Sequence, residues 1–93
     1  MSERVALVTG AGRGIGRGIA LALAAKDWTV VINYRSNAKA AAEVQEQIAA
    51  TAGQSLILQA DIAKAADRQR LVQQTLDAWG RIDILINNAG MAP

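Results

Sequence analysis

Apolar and polar positions along the chain form two kinds of segment. Four short stretches are continuously apolar and rich in Val, Ile and Leu, which is typical of strands buried on both faces of a parallel sheet. These stretches are residues 5–8, 30–32, 56–58 and 84–86. In the segments between them, apolar residues recur every three or four positions, and this spacing predicts three helices.

Each predicted helix should turn one apolar face towards the sheet. The residues on these faces are Ile15, Ile19, Ala22 and Leu23 in the first helix, Ala41, Val44 and Ile48 in the second, and Val72, Leu76 and Trp79 in the third. Asn37 is the predicted N-cap of the second helix, because its side chain can accept a hydrogen bond from a free backbone N–H. Gly53 and Gly80 are the predicted stops of the second and third helices.

The order of these segments is βαβαβαβ, which predicts an α/β fold with a parallel sheet. We expect a Rossmann-type doubly wound sheet with the strand order 3-2-1-4. Right-handed crossovers then place the first two helices on one face of the sheet and the third helix on the other. The order reverses between strands 1 and 4, and ligands of such sheets bind at the carboxyl ends of the strands beside this reversal.

Composition and charge narrow the possible chemistry. The 93 residues correspond to one domain or part of one, and the 52% of hydrophobic residues indicates a globular chain. The sequence contains no Cys and no His, so disulfides, cysteine nucleophiles and imidazole metal sites are excluded, and we expect no metal. The net charge is only +2 and the basic residues are scattered, so we expect no nucleic-acid partner. No apolar run approaches the ~20 residues that span a bilayer, so we expect no membrane segment and a cytoplasmic location.

Four glycines, at positions 10, 12, 14 and 16, separate the first strand from the first helix. Such a turn presents free backbone N–H groups at the positive end of the helix dipole, and glycine lacks the Cβ that would block a phosphate. The stretch reads T-G-x-x-x-G-x-G, and it departs from G-x-G-x-x-G because residue 15 is Ile. It also departs from the P-loop, because Arg17 follows Gly16 where Lys is required. Phosphate binding is the favoured interpretation, and the alternative is a turn that only lets helix and strand pack closely.

Three motifs at three successive strand ends resemble those of the short-chain dehydrogenase/reductase family. They are the glycine stretch at residues 9–16, "ADI" at residues 60–62 and "NNAG" at residues 87–90, and the resemblance covers the whole chain. It implies that a nicotinamide dinucleotide binds at this edge of the sheet. The residues implied to surround its pyrophosphate and adenosine ribose are Gly10, Ala11, Gly12, Arg13, Gly14, Ile15 and Gly16.

The other two motifs are implied to contact the rest of the cofactor. Asp61 would accept a hydrogen bond from the adenine amine, and Ile62 would pack on the adenine. The residues implied to approach the ribose are Asn88, Ala89 and Gly90, while Asn87 would tie neighbouring strands together. Two alternatives stay open: Asp61 could simply cap the loop before the third helix, and the two asparagines could be an ordinary turn pair.

The segment after the second strand bears on the choice of cofactor. NAD-binding folds usually place an acid ~20 residues past the glycines, on the ribose 2′-hydroxyl. Residues 32–36 read "INYRS" and contain no acid, and Tyr34 stands where NAD-dependent members of the family carry it. Because a guanidinium matches a phosphate and an acid would repel it, we expect NADP(H), held by Tyr34, Arg35, Ser36 and Arg13. The alternative is that both arginines are solvated surface charges.

Catalytic groups are a separate question. Hydride transfer to a carbonyl needs a general acid, which in this family is a Tyr with a Lys four residues later, assisted by a Ser and an Asn. Tyr34 is the only Tyr, Ala38 lies four residues after it, and the family's catalytic groups follow the NNAG segment. We therefore name no catalytic residue, and we expect residues 1–93 to be a partial dinucleotide-binding domain that is inactive without a catalytic half.

Several functions fit this sequence. The resemblance favours the NADP(H)-binding half of a reductase that transfers hydride between NADPH and a carbonyl or alcohol, with 3-oxoacyl-[acyl-carrier-protein] reductases the most similar group. Alternatives are a sugar or polyol dehydrogenase of the same family, a nucleotide-binding module without catalysis, and an interaction domain. The fourth strand has a predicted neighbour on one side only. We therefore expect a second chain or the remaining half to complete the sheet, and a homo-oligomer at full length.

Overall fold

Strands and helices alternate along the chain in the predicted order. The structure is a computed structural model, and it describes residues 4–12 and 14–88. The elements are β1 (Val5–Val8), α1 (Gly14–Ala25), β2 (Thr29–Tyr34), α2 (Ala38–Ala49), β3 (Ser55–Gln59), α3 (Ala65–Trp79) and β4 (Ile84–Ile86).

The four strands form one parallel sheet in the order β3-β2-β1-β4, which confirms the predicted doubly wound topology. Val8, at the end of β1, lies opposite Ile32 of β2 and Ile86 of β4. The carboxyl ends of β1 and β4 are therefore adjacent although the two strands lie far apart in sequence. The order reverses between these two strands, as predicted.

The pleat of the sheet divides the core into two layers. On one face, Val8 and Ile32 pack with α1 and with α2, which buries the predicted residues Ala41, Val44 and Ile48. On the other face, Leu7 and Val31 pack with Leu71 of α3. These contacts confirm the predicted placement of the helices: α1 and α2 on one face and α3 on the other.

The predicted face of α1 was wrong by one residue. The buried positions are Gly16, Ala20 and Ala24, whereas Ile15 is 69% exposed. Ala22 is also exposed, and Ile19 and Leu23 are half-buried. The buried stripe consists of small side chains spaced four residues apart, which let the helix backbone approach the sheet closely. The periodicity argument favoured the larger apolar residues, and these lie at the border of the contact.

The predicted face of α3 was displaced by one residue in the opposite direction, although Trp79 is half-buried against the core as predicted. Leu71 and Thr75 are buried, while Val72 and Leu76 remain more than a third exposed. A shift of one residue rotates the buried stripe by about 100°. Thr75 is tolerated inside because its hydroxyl donates to the Leu71 carbonyl at 2.8 Å, so the buried polar group is satisfied within the helix.

The two outer strands are less buried than their apolar sequences predict. Both β1 and β2 are enclosed almost completely, but β3 is half-buried and β4 exposes Ile84 and Leu85. Among the described residues, β3 pairs only with β2 and β4 pairs only with β1. An apolar run therefore does not distinguish an enclosed strand from one at the edge of the described sheet.

The ends of the helices follow local backbone chemistry. The Asn37 side chain accepts from the Ala40 N–H at 3.0 Å, which confirms the predicted N-cap of α2. Gly80 ends α3 with φ +74°, as expected of a left-handed cap. Gly53 lies beyond α2 as predicted, but the left-handed residue there is Ala52, with φ +62°. Gly53 donates to the Ile48 carbonyl, and a Cβ at Gly53 would lie 2.6 Å from Ile48 Cγ2.

Candidate functional site

The hydroxyl of Thr9 joins the carboxyl ends of β1 and β4. It accepts from the Asn88 backbone N–H at 2.9 Å, and it faces the Ile86 carbonyl and Asn87 Oδ1, each at 3.3 Å, as acceptors for its proton. The backbone N–H of Thr9 also donates to the Ile86 carbonyl at 3.0 Å. This buried side chain therefore connects the end of β1 to the residues that end and follow β4, at the point where the strand order reverses.

The glycine loop, residues 9–16, needs glycine at three positions for two different reasons. Gly10 and Gly14 have φ of +62° and +63°, a backbone conformation that side chains other than glycine rarely adopt. Gly16 is needed for space: a Cβ there would collide with the Gly10 carbonyl oxygen and lie 2.5 Å from Asn88 Nδ2. Gly12 has no such demand, since a Cβ would be 3.5 Å from Ala40 Cβ. Gly10, Gly14 and Gly16 are also the three glycines of the motif T-G-x-x-x-G-x-G.

The glycine loop and the asparagine pair lie against each other. Asn88 Nδ2 donates to the Gly10 carbonyl at 3.2 Å, and the same amide borders the space beside Gly16. The first turn of α1 begins at Gly14, so its backbone N–H groups lie next to this contact. Two motifs that are distant in sequence are therefore in contact at the adjacent carboxyl ends of β1 and β4.

The segment after β2 presents a cation at the carboxyl edge of the sheet. Tyr34 is half-buried against the layer formed with α1 and α2, while Arg35 and Ser36 are exposed. Within residues 4–12 and 14–88, no ion pair involves Arg35, and its backbone carbonyl is held by Gln59 Nε2 at 3.0 Å. An exposed guanidinium on a fixed backbone can receive an anionic group.

Asp61 has the capping contact that the sequence left open. Its Oδ1 accepts from the Ala63 N–H at 3.0 Å, and its backbone N–H donates to Asp67 Oδ2 at 2.8 Å. The latter hydrogen bond, with smaller contributions from Arg70 and Lys64, lowers the pKa of Asp67 below its ordinary value of 3.8. In the described part of the chain, Asp61 Oδ2 has no hydrogen bond, so capping and adenine recognition are compatible.

Ile62 also takes part in the fold. It is half-buried against the core layer of α3, which includes Leu7 and Leu71. Part of its surface is therefore used in the fold, and the exposed remainder is what a ligand could contact. The predicted positions Arg13, Ala89 and Gly90 lie outside the described residues.

Sequence reasoning missed Thr9 and Asn33 as individual members of the site. Asn33 is 1% exposed, and its amide contacts two neighbouring segments, the glycine loop at Gly10 and the end of β3 at Leu58 and Ala60. The available signal was a polar residue directly after a buried apolar run, "VVIN" at residues 30–33, where an unpartnered amide would be costly. The same signal applies to Thr9 after "VALV".

Two other kinds of site receive no support from the described residues. No group of three or more His, Cys, Asp or Glu side chains gathers there in a way that could hold a metal ion. None of the described helices is long and apolar enough to cross a bilayer. An open groove of about 510 Å³ between α2, the start of β3 and Trp79 lies at the opposite edge of the sheet, away from both motifs.

Comparison with known proteins places this geometry in a family context. Residues 4–93 match the sequence profile described as short chain dehydrogenase. The chain is 47% identical over 91 residues to a 3-oxoacyl-[acyl-carrier-protein] reductase of Synechocystis, covering 98% of this chain and 37% of that protein. It is 48% identical over 90 residues to a hydroxynaphthalene reductase-like protein of Metarhizium anisopliae, covering 97% and 34%. The chain thus spans about a third of the length of these curated relatives.

The fold is also found in solved structures. A short chain dehydrogenase from Burkholderia cenocepacia J2315, crystallised in complex with NADP, matches with a TM-score of 0.91 and 40% identity. The match covers 96% of this chain and 36% of that one.

Proposed function

The chain belongs to the short chain dehydrogenase family, and from that premise we propose that it is the NADP(H)-binding part of a reductase that transfers hydride between NADPH and a carbonyl or alcohol substrate. Its 93 residues would then be a partial dinucleotide-binding domain, with the catalytic half and further sheet strands supplied by other residues. A homo-oligomer of the full-length protein is part of the same proposal.

The observation that carries this proposal is the glycine loop beside Asn88. Gly10 and Gly14 supply the backbone conformation, and the missing Cβ of Gly16 leaves room for the contact between the loop and Asn88. Backbone N–H groups at the start of α1 favour an anion, which a dinucleotide provides as its pyrophosphate. The nicotinamide of the bound cofactor would supply the hydride.

Arg35 supports NADP(H) over NAD(H). The segment at residues 32–36 lacks the acid that would bind a ribose 2′-hydroxyl, and Arg35 is exposed there on a backbone held by Gln59. A guanidinium can form a charge-assisted pair with the 2′-phosphate. The NADP complex of the Burkholderia relative is consistent with this choice.

The proposed role of the described residues is to bind and orient the dinucleotide, and none of them is proposed as the general acid. The only Tyr, Tyr34, packs against the α1–α2 layer, and residue 38 is Ala. A 3-oxoacyl thioester is the proposed substrate, on the similarity to the Synechocystis reductase. The sequence identity to a hydroxynaphthalene reductase-like protein is equally high. A bicyclic aromatic ketone is therefore the second substrate to compare in an assay of NADPH oxidation by the full-length protein.

Cofactor titration tests this proposal. Arg35→Asp should weaken NADPH binding by about 10-fold to 100-fold and NADH binding far less, since a charge-assisted pair is commonly worth ~1.5–3 kcal/mol. The measurement is fluorescence of the bound reduced cofactor in the full-length protein. Lys26→Asp is the matched control, because it makes the same charge change at an exposed position just after α1, at the opposite edge of the sheet. Equal losses for both cofactors would contradict NADP(H) selectivity.

A further inference from the structure

Asn33 is a buried polar side chain with more hydrogen bonds than its place in the strand requires. It is 1% exposed at the end of β2. Its Nδ2 lies 3.2 Å from the Leu58 carbonyl, 3.3 Å from the Ala60 carbonyl and 3.4 Å from the Tyr34 carbonyl. Two N–H hydrogens serve three acceptors, so at least one hydrogen is shared.

The other end of the same amide reaches the glycine loop. Asn33 Oδ1 accepts from the Gly10 N–H at 3.4 Å, and the Asn33 backbone carbonyl accepts from the Ala11 N–H at 3.0 Å. Gly10 is the residue whose carbonyl accepts from Asn88 and whose φ is +62°. Asn33 thus holds the backbone N–H of Gly10 from the side of β2, while Asn88 holds its carbonyl from the side of β4.

From these contacts we propose that Asn33 is a positioning residue of the cofactor site. Its amide fixes the backbone of Gly10 and Ala11 against the ends of β2 and β3, so the glycine loop is already in its binding conformation before a ligand arrives. Asn33 acts through the loop and does not contact the dinucleotide. This role rests on the proposed function, since it concerns the same pyrophosphate seat.

The chemistry requires an amide at this position. The buried side chain must accept from an N–H on one side and donate to carbonyls on the other. Asp could accept from Gly10 but would turn a second oxygen towards three carbonyl oxygens. Ala would leave the Gly10 N–H and the carbonyls with fewer partners, and the loop would be held by the Ala11 backbone contact alone on this side.

Paired titrations separate positioning from mere stability. Asn33→Ala should weaken NADPH and NADH by the same factor of about ten, which corresponds to about 1.4 kcal/mol, because both cofactors carry the same pyrophosphate. Thr75→Ala is the matched control: Thr75 is the other fully buried polar side chain close in size, and its hydroxyl bonds only within α3. It should lower the melting temperature and leave both affinities unchanged, at a temperature where all three proteins are folded.

Three results would overturn the role. They are an unchanged affinity in folded Asn33→Ala, a loss confined to NADPH, or an equal loss in Thr75→Ala. If the wild-type protein binds neither cofactor, the proposed function fails and this role with it. If the wild type binds and Asn33→Ala binds equally well, only the role of Asn33 fails.

A measurement on the wild-type protein decides the case if Asn33→Ala does not fold. Inorganic pyrophosphate is titrated while the NMR signals of the Asn33 side-chain amide and the backbone amides of Gly10, Gly16 and Thr75 are followed. The Asn33 and Gly10 signals should shift together with Gly16, and Thr75 should not. Shifts at Gly16 without any shift at Asn33 would overturn the proposal.

Discussion

At Gly16 a single added methyl group meets backbone on one side and a functional amide on the other. The contact with the Gly10 carbonyl cannot relax by side-chain movement, because the carbonyl oxygen belongs to the backbone. We expect Gly16→Ala to lower the free energy of unfolding by about 1–3 kcal/mol, as other overpacking substitutions do, and to abolish dinucleotide binding. Urea unfolding and cofactor titration measure the two effects.

Gly18 supplies the internal control for Gly16. It lies two residues further along the same helix and is exposed. No atom lies within 4 Å of the place where its Cβ would be. Gly18→Ala should raise the free energy of unfolding by roughly 0.5–1 kcal/mol, because Ala restricts the unfolded chain and suits a helix interior. Destabilisation by both substitutions would show that α1 tolerates no Cβ for a reason other than the Gly10 contact.

The backbone conformation of Ala52 also predicts how a substitution changes the free energy of unfolding. Its φ is +62°, a region that costs an L-residue roughly 1–2 kcal/mol, part of which is offset by the greater freedom of Gly in the unfolded chain. Ala52→Gly should therefore raise the free energy of unfolding by about 0.5–1 kcal/mol. Ala50, two residues earlier with φ −62°, is the matched control, and Ala50→Gly should lower the same quantity in thermal or urea unfolding.

Individual residues were predictable where local chemistry decides, and less so where several segments meet. Asn37 and Gly80 were assigned correctly because caps depend on one or two neighbouring backbone groups. Ala52 was missed because an unfavourable left-handed Ala is imposed by the chain that follows it. Thr9 and Asn33 were missed because their partners lie in other strands, and strand pairing is not written in either residue's own neighbourhood.

At the scale of elements, the carboxylates of Asp83 and Asp67 accept hydrogen bonds from backbone N–H groups near the ends of strands. Asp83 accepts from the Val5 N–H at 2.7 Å and from Arg81 at 2.6 and 2.9 Å, joining the start of β1 to the turn before β4. The pairing with Arg81, followed by the Val5 hydrogen bond, lowers the pKa of Asp83 below its ordinary value of 3.8. Asp67 is held in the corresponding way by the Asp61 N–H.

These lowered pKa values predict the direction of acid destabilisation. The unfolded chain binds protons at a higher pH than the folded chain does, so the stabilising contribution is present above pH 3.8 and is lost as the pH falls through the folded pKa values. Asp83→Asn should reduce the free energy of unfolding at neutral pH, and the gap to wild type should narrow as the pH falls below 3.8. Urea unfolding across this range measures it, and curves that stay parallel would contradict the assignment.

The helices show why periodicity locates an element better than it orients one. The existence and order of α1, α2 and α3 followed from the spacing of apolar residues, and the face of α2 was correct. In α1 and α3 the buried stripe lay one residue away, because close approach to the sheet selected Gly16, Ala20 and Ala24 in one helix and Thr75 in the other. Small and weakly polar residues carry little weight in a pattern of large apolar ones.

At the scale of the whole molecule, β4 is the most exposed strand of the described sheet. Leu85 is 57% exposed, and β4 contains no Lys or Pro that would discourage pairing with another strand. We expect residues 1–93, made alone, to associate in a concentration-dependent manner and to unfold without a sharp transition. Sedimentation and thermal unfolding test this, and a monodisperse monomer with a cooperative transition would favour an independent nucleotide-binding module.

A charge on this edge should reduce the association. Leu85→Lys adds a cation at an exposed edge position, so it should shift the sedimentation equilibrium towards monomer while changing the free energy of unfolding by about 0.5 kcal/mol or less. Ala22→Lys adds the same charge at an exposed position of α1, far from the edge, and should leave association unchanged. An equal effect of both substitutions would indicate general charge repulsion.

The hydroxyl of Thr9 accepts from the backbone N–H of Asn88, 79 residues further along the sequence, and this separation has a consequence for biosynthesis. A ribosome adds about 5–20 residues each second, so the glycine loop is made about 4–16 s before Asn88, which contacts it. During that interval β1 can pair with β2, but the contact between Asn88 and Gly10 cannot form. Under the proposed function, a cofactor whose site needs this contact can stabilise the nascent chain only after residue 88 has been made.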